Sequence, residues 1–370
     1  MEKQLSVLGI DIAKQVVHLV GMDAHGAILV RTRRYRAQVM ALIAQLPPTL
    51  IGMEACGGAH DWARRFREYG HEVKLMAPQF VKPYVQANNN DLRDAEAMAE
   101  AVTRPTMRFV AVKSVAQQDL QALHRVRARL MQARTALINE PRGRLHEYGM
   151  IVPQGAATFR THVLEKLATE DAKLTPHSRG LFRQLLEELG ALEARVATDE
   201  AQLARVAQMH PVCQRLLTIP GVGELTATAL VAAVSDAAQF KNGRQFAAWV
   251  GLVPRQQSTG GKSRLLGIST HGDRYLRKRL VHGARSGLRW VGRQRDRRSQ
   301  WVQSGMERRG WNRATVALAN KHARVAWVLM GTEQVYRTAA ASGAPRTPGR
   351  EKAWQHRTPA ARCQERVVMR

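Results

Sequence analysis

The chain has 370 residues, of which 45% are hydrophobic, so it can build packed cores and is not disordered throughout. Its 57 Lys and Arg outnumber its 30 Asp and Glu, and the resulting formal net charge of +27 predicts a polyanionic partner. Nucleic acid fits this role better than a membrane surface, because the sequence has no apolar run near ~18 residues and no long basic helix with an aromatic-rich apolar face.

The N-terminal part of the chain predicts an α/β domain over residues 1–113. Three runs rich in Val, Ile and Leu between residues 6 and 35 are typical of an antiparallel meander of strands. The strands are followed, in this order, by a helix from about Arg36 to Gln45 that Pro47 stops, the strand TLIGMEA, a helix ended by Gly70, the strand HEVKLMAP and a helix beginning near Asp91. This order is that of a ribonuclease-H-like fold, in which a mixed sheet is packed between helices.

Two long helices are predicted in residues 114–210. The first covers residues 114–148, with Pro141 as a kink or stop, and the second covers about residues 178–208. Apolar residues of the second helix recur at coiled-coil spacing around one polar position, Asp199, and they are Leu185, Leu189, Leu192, Val196, Leu203 and Val206. The pattern favours an antiparallel stalk or a dimer contact, and it fits the core of an ordinary helix bundle equally well.

The rest of the chain is predicted to be helical and increasingly basic. Residues 211–332 form the predicted C-terminal domain, whose last well-packed helix covers RATVALANKHARVAWVLM. Residues 333–370 are low in apolar residues and rich in Ala, Pro and Arg, so they predict a basic, disordered tail.

Four acidic residues are candidates for one metal site. Asp11 and Glu54 interrupt apolar strand runs, where a carboxylate is costly, and Asp91 and Asp94 share one face of a helix turn. The first and fourth strands of a ribonuclease-H-like sheet are neighbours, so all four carboxylates should meet. Such a cluster stays ionised only beside cations, and one or two Mg²⁺ ions are the hard, oxygen-seeking choice next to a phosphodiester. Taken singly, Asp91 also fits a helix N-cap and Asp94 a first-turn acid.

Glycines mark a second candidate site, in LLTIPGVGELTATAL. A helix that ends before Gly221 and Gly223 and restarts at Glu224 is typical of a helix-hairpin-helix, whose backbone N–H groups bind a phosphate of nucleic acid. The alternative is a simple glycine-containing connection between two helices.

A third candidate site lies in VPRQQSTGGKSRLLG. Ser258 and Thr259 precede Gly260 in a predicted phosphate-binding loop, where a hydroxyl is placed to attack phosphorus. No histidine is adjacent in the sequence, so no neighbouring base is assigned. The cations that flank this loop are Arg255, Lys262, Arg264, Arg274 and Arg277.

The cysteines and the first residues of the chain argue against a disulfide framework, a zinc site and a signal peptide. Cys56, Cys213 and Cys363 are scattered without a Cys-x-x-Cys pair, so neither a disulfide framework nor a zinc site is predicted, and any metal should be held by oxygen. The start of the chain, MEKQLSVLGIDIAKQ, lacks the apolar core and cleavage site of a signal peptide. We therefore expect a cytoplasmic, nucleoid-associated protein without membrane contact.

These patches in this order resemble the transposases of the insertion sequence 110 family, and more closely its 1111 subgroup. The resemblance covers about residues 5–330. The stretches that carry it include GIDIAK, MEACGGAHDWAR, DLRDAEAMAEA, LLTIPGVG, FAAWVGLVPRQQSTGGKSRLLGIS and GDRYLR.

The resemblance implies a RuvC-like domain of ribonuclease-H fold, a coiled-coil linker and a C-terminal transposase domain with a nucleophilic serine. The implied Asp-Glu-Asp-Asp metal positions are Asp11, Glu54, Asp91 and Asp94. The implied nucleophile that links to DNA is Ser258, and Thr259, directly before the glycines, is the alternative. The implied partners are donor and target DNA, a structured guide RNA, and further copies of the chain in a dimer or a tetramer, whose different subunits would supply the acids and the serine.

Three functions remain to be separated. An insertion-sequence transposase that exchanges DNA strands needs the acids, Mg²⁺ and the serine. A RuvC-like structure-specific DNA endonuclease needs only the acids. A catalytically decayed remnant that binds nucleic acid needs neither.

Overall fold

The computed structural model describes residues 4–85, 90–168, 174–294 and 296–337. The chain divides into two compact units, Met1–Val115 and the part that begins at Ala116. The predicted domain boundaries at residues 113, 210 and 332 stay predictions. Most of the predicted tail, residues 338–370, lies outside the described residues.

The first unit contains a six-stranded mixed sheet with the strand order β3-β2-β1-β4-β5-β6. The first three strands pair antiparallel, as the meander predicts, and β4 and β5 run parallel to β1. The short β6 pairs antiparallel with β5. The strands are β1 Val7–Ile12, β2 Val16–Met22, β3 Ile28–Tyr35, β4 Leu50–Glu54, β5 Glu72–Met76 and β6 Phe109–Val110.

Helices cover both faces of this sheet. Successive residues of a strand point to opposite faces, and here the residues on both faces are apolar and need to be buried. On one face, Val39 and Ile43 of the first helix and Phe66 of the second are buried against Ile10 and Leu75. On the other face, the fourth helix packs against a separate buried cluster. The helices are α1 Arg36–Gln45, α2 Ala59–Glu68, the short α3 Pro78–Val81 and α4 Asp91–Val102. The predicted mixed sheet with helices is confirmed.

The second unit is mostly helical, as predicted, and contains one two-stranded hairpin in its described part. Its largest buried cluster is built mainly by the helices that follow residue 210, with Leu120, Leu203 and Ala207 of the two long helices packed into it. In the described part of the chain, no helix is long and apolar enough to cross a membrane. The elements are α5 Val115–Glu147, α6 Ala156–Ala168, α7 Pro176–Met209, α8 Pro211–Leu217, α9 Glu224–Ala233, α10 Gly243–Trp249, β7 Pro254–Thr259, β8 Lys262–Ile268, α11 Arg274–Leu288, α12 Arg297–Arg309 and α13 Trp311–Gly331.

The two longest helices, α5 and α7, lie side by side in opposite directions. Arg127 pairs with Glu200, and Arg134 Nη2 lies 2.8 Å from Glu193 Oε1. The two arginines are seven residues apart in α5, and their partners are seven residues apart in α7 in the reverse order. This register is antiparallel. It fits a stalk and a bundle core alike, so the predicted coiled coil stays a prediction.

Pro141 lies inside α5 and does not end it, so the stop predicted at this residue is wrong. A proline in a helix interior removes one backbone hydrogen bond, and tertiary packing can offset that loss. Pro141 is buried, and Leu137, Ile138 and Leu145 around it belong to a cluster with Phe182 of α7.

Candidate functional site

Asp11 and Glu54 lie side by side because β1 and β4 are parallel neighbours. The register pairs Gly9 with Gly52 and Ile10 with Met53, so the next residues, Asp11 and Glu54, lie level at the carboxyl ends of the two strands. Alternate residues of a strand point to the same face of the sheet. The two acids therefore share the face of the two glycines.

The helix α4 crosses this face directly over the glycine pair. A Cβ atom on Gly9 would lie 1.9 Å from the carbonyl oxygen of Ala95, and one on Gly52 would lie 2.8 Å from that of Met98. The backbone of the helix can approach the sheet this closely only because neither position has a side chain. The first turn of α4, with Asp91 and Asp94, consequently lies beyond the glycines, where β1 and β4 end in their acids.

The N-cap of α4 is Asn90, whose side-chain oxygen accepts a hydrogen bond from the backbone N–H of Leu92 at 3.0 Å. The alternative that Asp91 is the N-cap is therefore wrong. Asp91 is the first residue of the helix, and Asp94 also lies in the first turn, where the helix dipole favours an acid. Neither carboxylate is needed for capping.

All four predicted acids interact electrostatically. Burial, and then the charges of Asp91 and Asp94, raise the pKa of Asp11, while the neighbouring His18 lowers it. Burial, and then the charges of Asp11 and Asp94, raise the pKa of Glu54. Burial and the charge of Asp91 raise the pKa of Asp94. The carboxylates that are far apart in the sequence thus repel one another at one end of the sheet.

The tightest group at this end includes a histidine that the sequence did not reveal. Ligand atoms of Asp11, His18 and Asp91 all lie within 4.8 Å of one another, and this is the one such triplet among the described residues. Glu54 and Asp94 stand beside it without belonging to it. A ring nitrogen therefore faces the same point as the carboxylate oxygens, whereas the sequence predicts oxygen ligands alone.

The donor set fits a divalent cation. Carboxylates that raise one another's pKa values are stabilised as ions by a nearby positive charge. His18 Nδ1 is buried and makes no hydrogen bond to any described residue, so a polar atom is left for a ligand to satisfy. The identity of the ion is a separate question.

The segment predicted to be a phosphate-binding loop forms the hairpin of β7 and β8. Gly260 and Gly261 have φ values of +57° and +76°, which a two-residue turn between antiparallel strands requires. Thr259 pairs with Lys262 on either side of this turn. Ser258 is exposed, and its Oγ accepts a hydrogen bond from Gln256 Nε2 at 2.8 Å.

The cations predicted around this hairpin fall into two groups. Arg277 donates from Nη1 to the backbone carbonyls of Val250, at 3.0 Å, and His271, at 2.9 Å, so its guanidinium fastens the start of α11 to the preceding loop. The other four are exposed and available to a polyanion: Arg255, Lys262, Arg264 and Arg274.

The two glycines of the predicted helix-hairpin-helix have different surroundings. Gly221 has φ +93°, and a Cβ atom there would lie 2.5 Å from the carbonyl oxygen of Gly283 in α11. Gly223 is the N-cap of α9, and nothing lies within 4 Å of the place where its Cβ would be. Gly221 therefore serves helix packing, whereas Gly223 is open to a ligand.

Comparisons with known proteins cover both units. A family model described as a transposase, of the DEDD type of IS110, matches residues 8–150, and a model of the IS116/IS110/IS902 transposase family matches residues 213–300. The chain is 50% identical over 334 residues to a "Probable family 20 transposase" of Pseudomonas aeruginosa, covering 90% of this chain and 99% of that protein.

Two further relatives carry the names of insertion sequences. The transposase of IS1111A from Coxiella burnetii is 46% identical, with 91% of this chain and 93% of the relative covered. The transposase of IS1328 from Yersinia enterocolitica is 41% identical, with 88% and 96% covered. Since relatives this similar span about nine tenths of the chain, the protein belongs to the IS110/IS116/IS902 family and is an insertion-sequence DNA transposase.

Proposed function

We propose that the first unit is a RuvC-like catalytic domain of ribonuclease-H fold, and that its acids hold one or two divalent cations of the Mg²⁺ type against a DNA phosphate. The observation that carries this proposal is the convergence of Asp11, Glu54, Asp91 and Asp94 at one end of the sheet. The parallel pairing of β4 and β5 with an antiparallel meander supports the fold assignment.

The residues of the acid cluster have separable roles in this proposal. Asp11 interacts with both Asp91 and Asp94, so it is placed to contact each cation that the cluster would hold. Glu54 contributes a carboxylate from the end of β4. Asp91 and Asp94 contribute two more from the first turn of α4. A bound cation would stabilise the charge that develops on the phosphate and its leaving oxygen. The chain's own residues hold that position rigidly, because the strand ends and the helix are fixed by the glycine contacts.

We further propose that Ser258 is the nucleophile of strand exchange. Its exposed hydroxyl lies beside the tight turn of a hairpin, where a DNA backbone can approach, and Gln256 fixes its oxygen. In the attack, Ser258 Oγ would form a bond to phosphorus, the bond to the departing sugar oxygen would break, and the serine proton would be lost to solvent or to a base. Thr259 is the alternative nucleophile, since it directly precedes the glycines.

The remaining parts of the proposal concern partners. The exposed cations around the hairpin and the open N-cap at Gly223 support contacts with donor and target DNA. Similarity to the family supports a structured guide RNA and an oligomer, dimer or tetramer, in which the antiparallel pair of α5 and α7 would act as a coiled-coil stalk.

The proposal is tested by recombination between donor and target plasmids in cells that supply the element's own noncoding RNA. We expect Asp11→Ala and Ser258→Ala each to abolish recombination, and Thr259→Ala to retain most of it. Ser263→Ala is the matched control, because Ser263 lies directly across the hairpin from Ser258 and has the same exposed hydroxyl. Full activity in both Asp11→Ala and Ser258→Ala would rule the proposal out.

A structure-specific endonuclease that uses only the acids is the second candidate. It is favoured by one observation: the hydrogen-bond partner described for the Ser258 hydroxyl is an amide of Gln256, which is not a base. Cleavage of branched DNA that is lost in Glu54→Ala and kept in Ser258→Ala would support this candidate over strand exchange by serine.

A further inference from the structure

His18 stands at the edge of the acid cluster because of the pairing between β1 and β2. In this antiparallel pair, His18 lies directly opposite Asp11. Side chains of directly opposite residues project to the same face of a sheet. His18 therefore reaches the same point in space as the acids, although it is seven residues from Asp11 and belongs to a different strand.

The ring of His18 is directed at Asp91 without a hydrogen bond between them. His18 Nδ1 lies 3.5 Å from Asp91 Oδ2, which is longer than an N–H···O hydrogen bond. The His18 side chain is only 12% exposed, and Nδ1 has no hydrogen-bond partner among the described residues. A buried nitrogen without a partner costs free energy unless a ligand satisfies it.

The spacing of the three donors fits one ion. Ligand atoms of Asp11, His18 and Asp91 lie within 4.8 Å of one another. Around an octahedral ion with bonds of about 2.1 Å, adjacent ligands are about 3.0 Å apart and opposite ligands about 4.2 Å apart. Three ligands include at most one opposite pair, so the three side chains would have to draw together by less than about 2 Å to contact the same cation.

A nitrogen donor changes which cation the site prefers. Mg²⁺ takes oxygen ligands and keeps its water, whereas imidazole is a better ligand for divalent transition metals. Among these, Mn²⁺ also accepts carboxylates readily. The two aspartates alone would suit either ion, so His18 is the residue that discriminates between them.

We propose that His18 is a nitrogen ligand of the cation held by Asp11 and Asp91, and that it makes this site prefer Mn²⁺ over Mg²⁺. The inference rests on the proposed function, because it requires that the acid cluster binds a cation. It goes beyond that function by assigning a fifth residue to the site and by naming the class of ion.

The direct test is electron spin-echo envelope modulation of Mn²⁺ bound to the untagged full-length chain, which detects a coordinated ¹⁴N nucleus. We expect ¹⁴N modulation in the wild type and its loss in His18→Gln, whose side-chain oxygen replaces the nitrogen donor. His25→Gln is the matched control, since His25 is an exposed residue in the turn between β2 and β3. It should keep the modulation. Bound Mn²⁺ without ¹⁴N coupling in the wild type would overturn the inference.

Binding titrations with Mn²⁺ alone and Mg²⁺ alone give the second readout. His18→Gln should weaken Mn²⁺ binding by about tenfold or more and change Mg²⁺ binding by less than about threefold, because glutamine offers the oxygen that Mg²⁺ accepts. Equal weakening of both ions would mean that His18 only positions Asp91, and the inference would be wrong. If neither ion binds the wild type any better than it binds Asp11→Ala, the proposed cation site itself fails, which is a different result.

Discussion

Asp11 is a residue that the metal-free fold tolerates at a cost. Its carboxyl lies at the end of β1, where burial and the charges of Asp91 and Asp94 raise its pKa. A carboxyl whose pKa is higher in the folded state than in the unfolded state destabilises the fold when it is ionised. The cluster should therefore weaken the protein at neutral pH until a cation binds, since a cation that binds only the folded arrangement stabilises it.

We predict that Asp11→Asn raises the Tm of the cation-free protein by a few degrees at neutral pH. Below the ordinary pKa of 3.8, the carboxyl is protonated in both the folded and the unfolded state, so the substitution should have no effect there. The gain should appear as the pH rises from 3.8 to the raised pKa and be complete above the raised pKa. Thermal unfolding in the absence of added divalent cation, between about pH 3 and about pH 7 and with EDTA at the higher pH values, measures the Tm difference.

The matched control for this prediction is Asp61→Asn. Asp61 is an exposed acid in the first turn of α2, and its Oδ1 lies 3.7 Å from Arg64 Nη2. Loss of this carboxylate charge should therefore leave the Tm unchanged or lower it. Excess divalent cation should raise the Tm of the wild type more than that of Asp11→Asn. A lower Tm for Asp11→Asn in EDTA at neutral pH would contradict the electrostatic account.

At the residue scale, the sequence predicts the four acids but not the histidine. Asp11 and Glu54 stand out because a carboxylate inside an apolar strand is costly and needs a reason. His18 alternates with buried apolar residues of β2, so the pattern does not distinguish it from any other strand residue. His18 lies opposite Asp11 only because of the register between β1 and β2. That register is set by the short turn around Lys14 and not by composition.

The element that positions the site is α4, and the features that position α4 are two glycines. Gly9 and Gly52 pair with each other across β1 and β4, each two residues before an acid. The resulting pattern, glycine, any residue, acid, occurs in both GID and GME. It is visible in the sequence, but its meaning depends on knowing that a helix crosses both strands at that level.

We predict that Gly9→Ala destabilises the protein by about 3 kcal/mol, the upper range for overpacking a core, because the added Cβ would lie 1.9 Å from a backbone carbonyl of α4. The helix would have to move away, and its acids with it, so cation binding should weaken in the same variant. Urea denaturation and cation titration measure the two effects.

Gly57→Ala is the control for this substitution. Nothing lies within 4 Å of the place where its Cβ would be, so we expect a change of no more than about 0.5 kcal/mol and unchanged cation binding. An equally mild effect of Gly9→Ala would show that α4 is free to shift and does not fix the acids.

In the connection between α8 and α9, one glycine is expected to matter for stability and the other for DNA binding. Gly221 has a positive φ and contacts the backbone of Gly283, so Gly221→Ala should cost about 3 kcal/mol through backbone strain and overpacking. Gly223→Ala meets no neighbour and should cost no more than about 1 kcal/mol, the penalty of alanine at a helix N-cap. If the N-terminus of α9 contacts a phosphate, Gly223→Ala should still weaken DNA binding. Fluorescence anisotropy with duplex DNA, alongside thermal unfolding, measures both properties.

A simple helix connection makes the opposite prediction for Gly223→Ala, namely unchanged DNA affinity at every salt concentration. That outcome would remove the phosphate site while leaving the packing role of Gly221 intact. A loss of stability in Gly223→Ala as large as that in Gly221→Ala would contradict the open surroundings described for Gly223.

At the element scale, long periodic segments are predicted well and special backbone features are not. The apolar spacing of α7 gives its extent to within two residues at each end. The hairpin of β7 and β8 is missed, because its described residues are mostly exposed and lack an alternating apolar pattern. Two adjacent glycines indicate a turn, yet the sequence alone does not show that strands flank it.

For the molecule as a whole, the positive charge is unevenly distributed. Residues 211–337 contain 22 Lys and Arg and 6 Asp and Glu, a net charge of +16, whereas residues 1–115 contain 15 and 11, a net charge of +4. The first unit thus combines an acidic site with little excess charge. The polyanion predicted from overall composition should therefore be bound mainly by the C-terminal half.

The predicted basic tail can be tested through the salt dependence of nucleic-acid binding. Residues 338–370 contain 7 Lys and Arg, and each cation that contacts a DNA phosphate adds about 0.9 to the slope of log K against log salt. If all seven make contact, truncation after Arg337 should lower the magnitude of this slope by about 6, whereas glutamine at the same seven positions should lower it equally without shortening the chain. Titrations of duplex DNA and of structured RNA between about 50 and 200 mM salt measure the slope for each partner. A slope that is unchanged in both variants would mean that the tail makes no phosphate contacts and that the charge of residues 211–337 accounts for the binding.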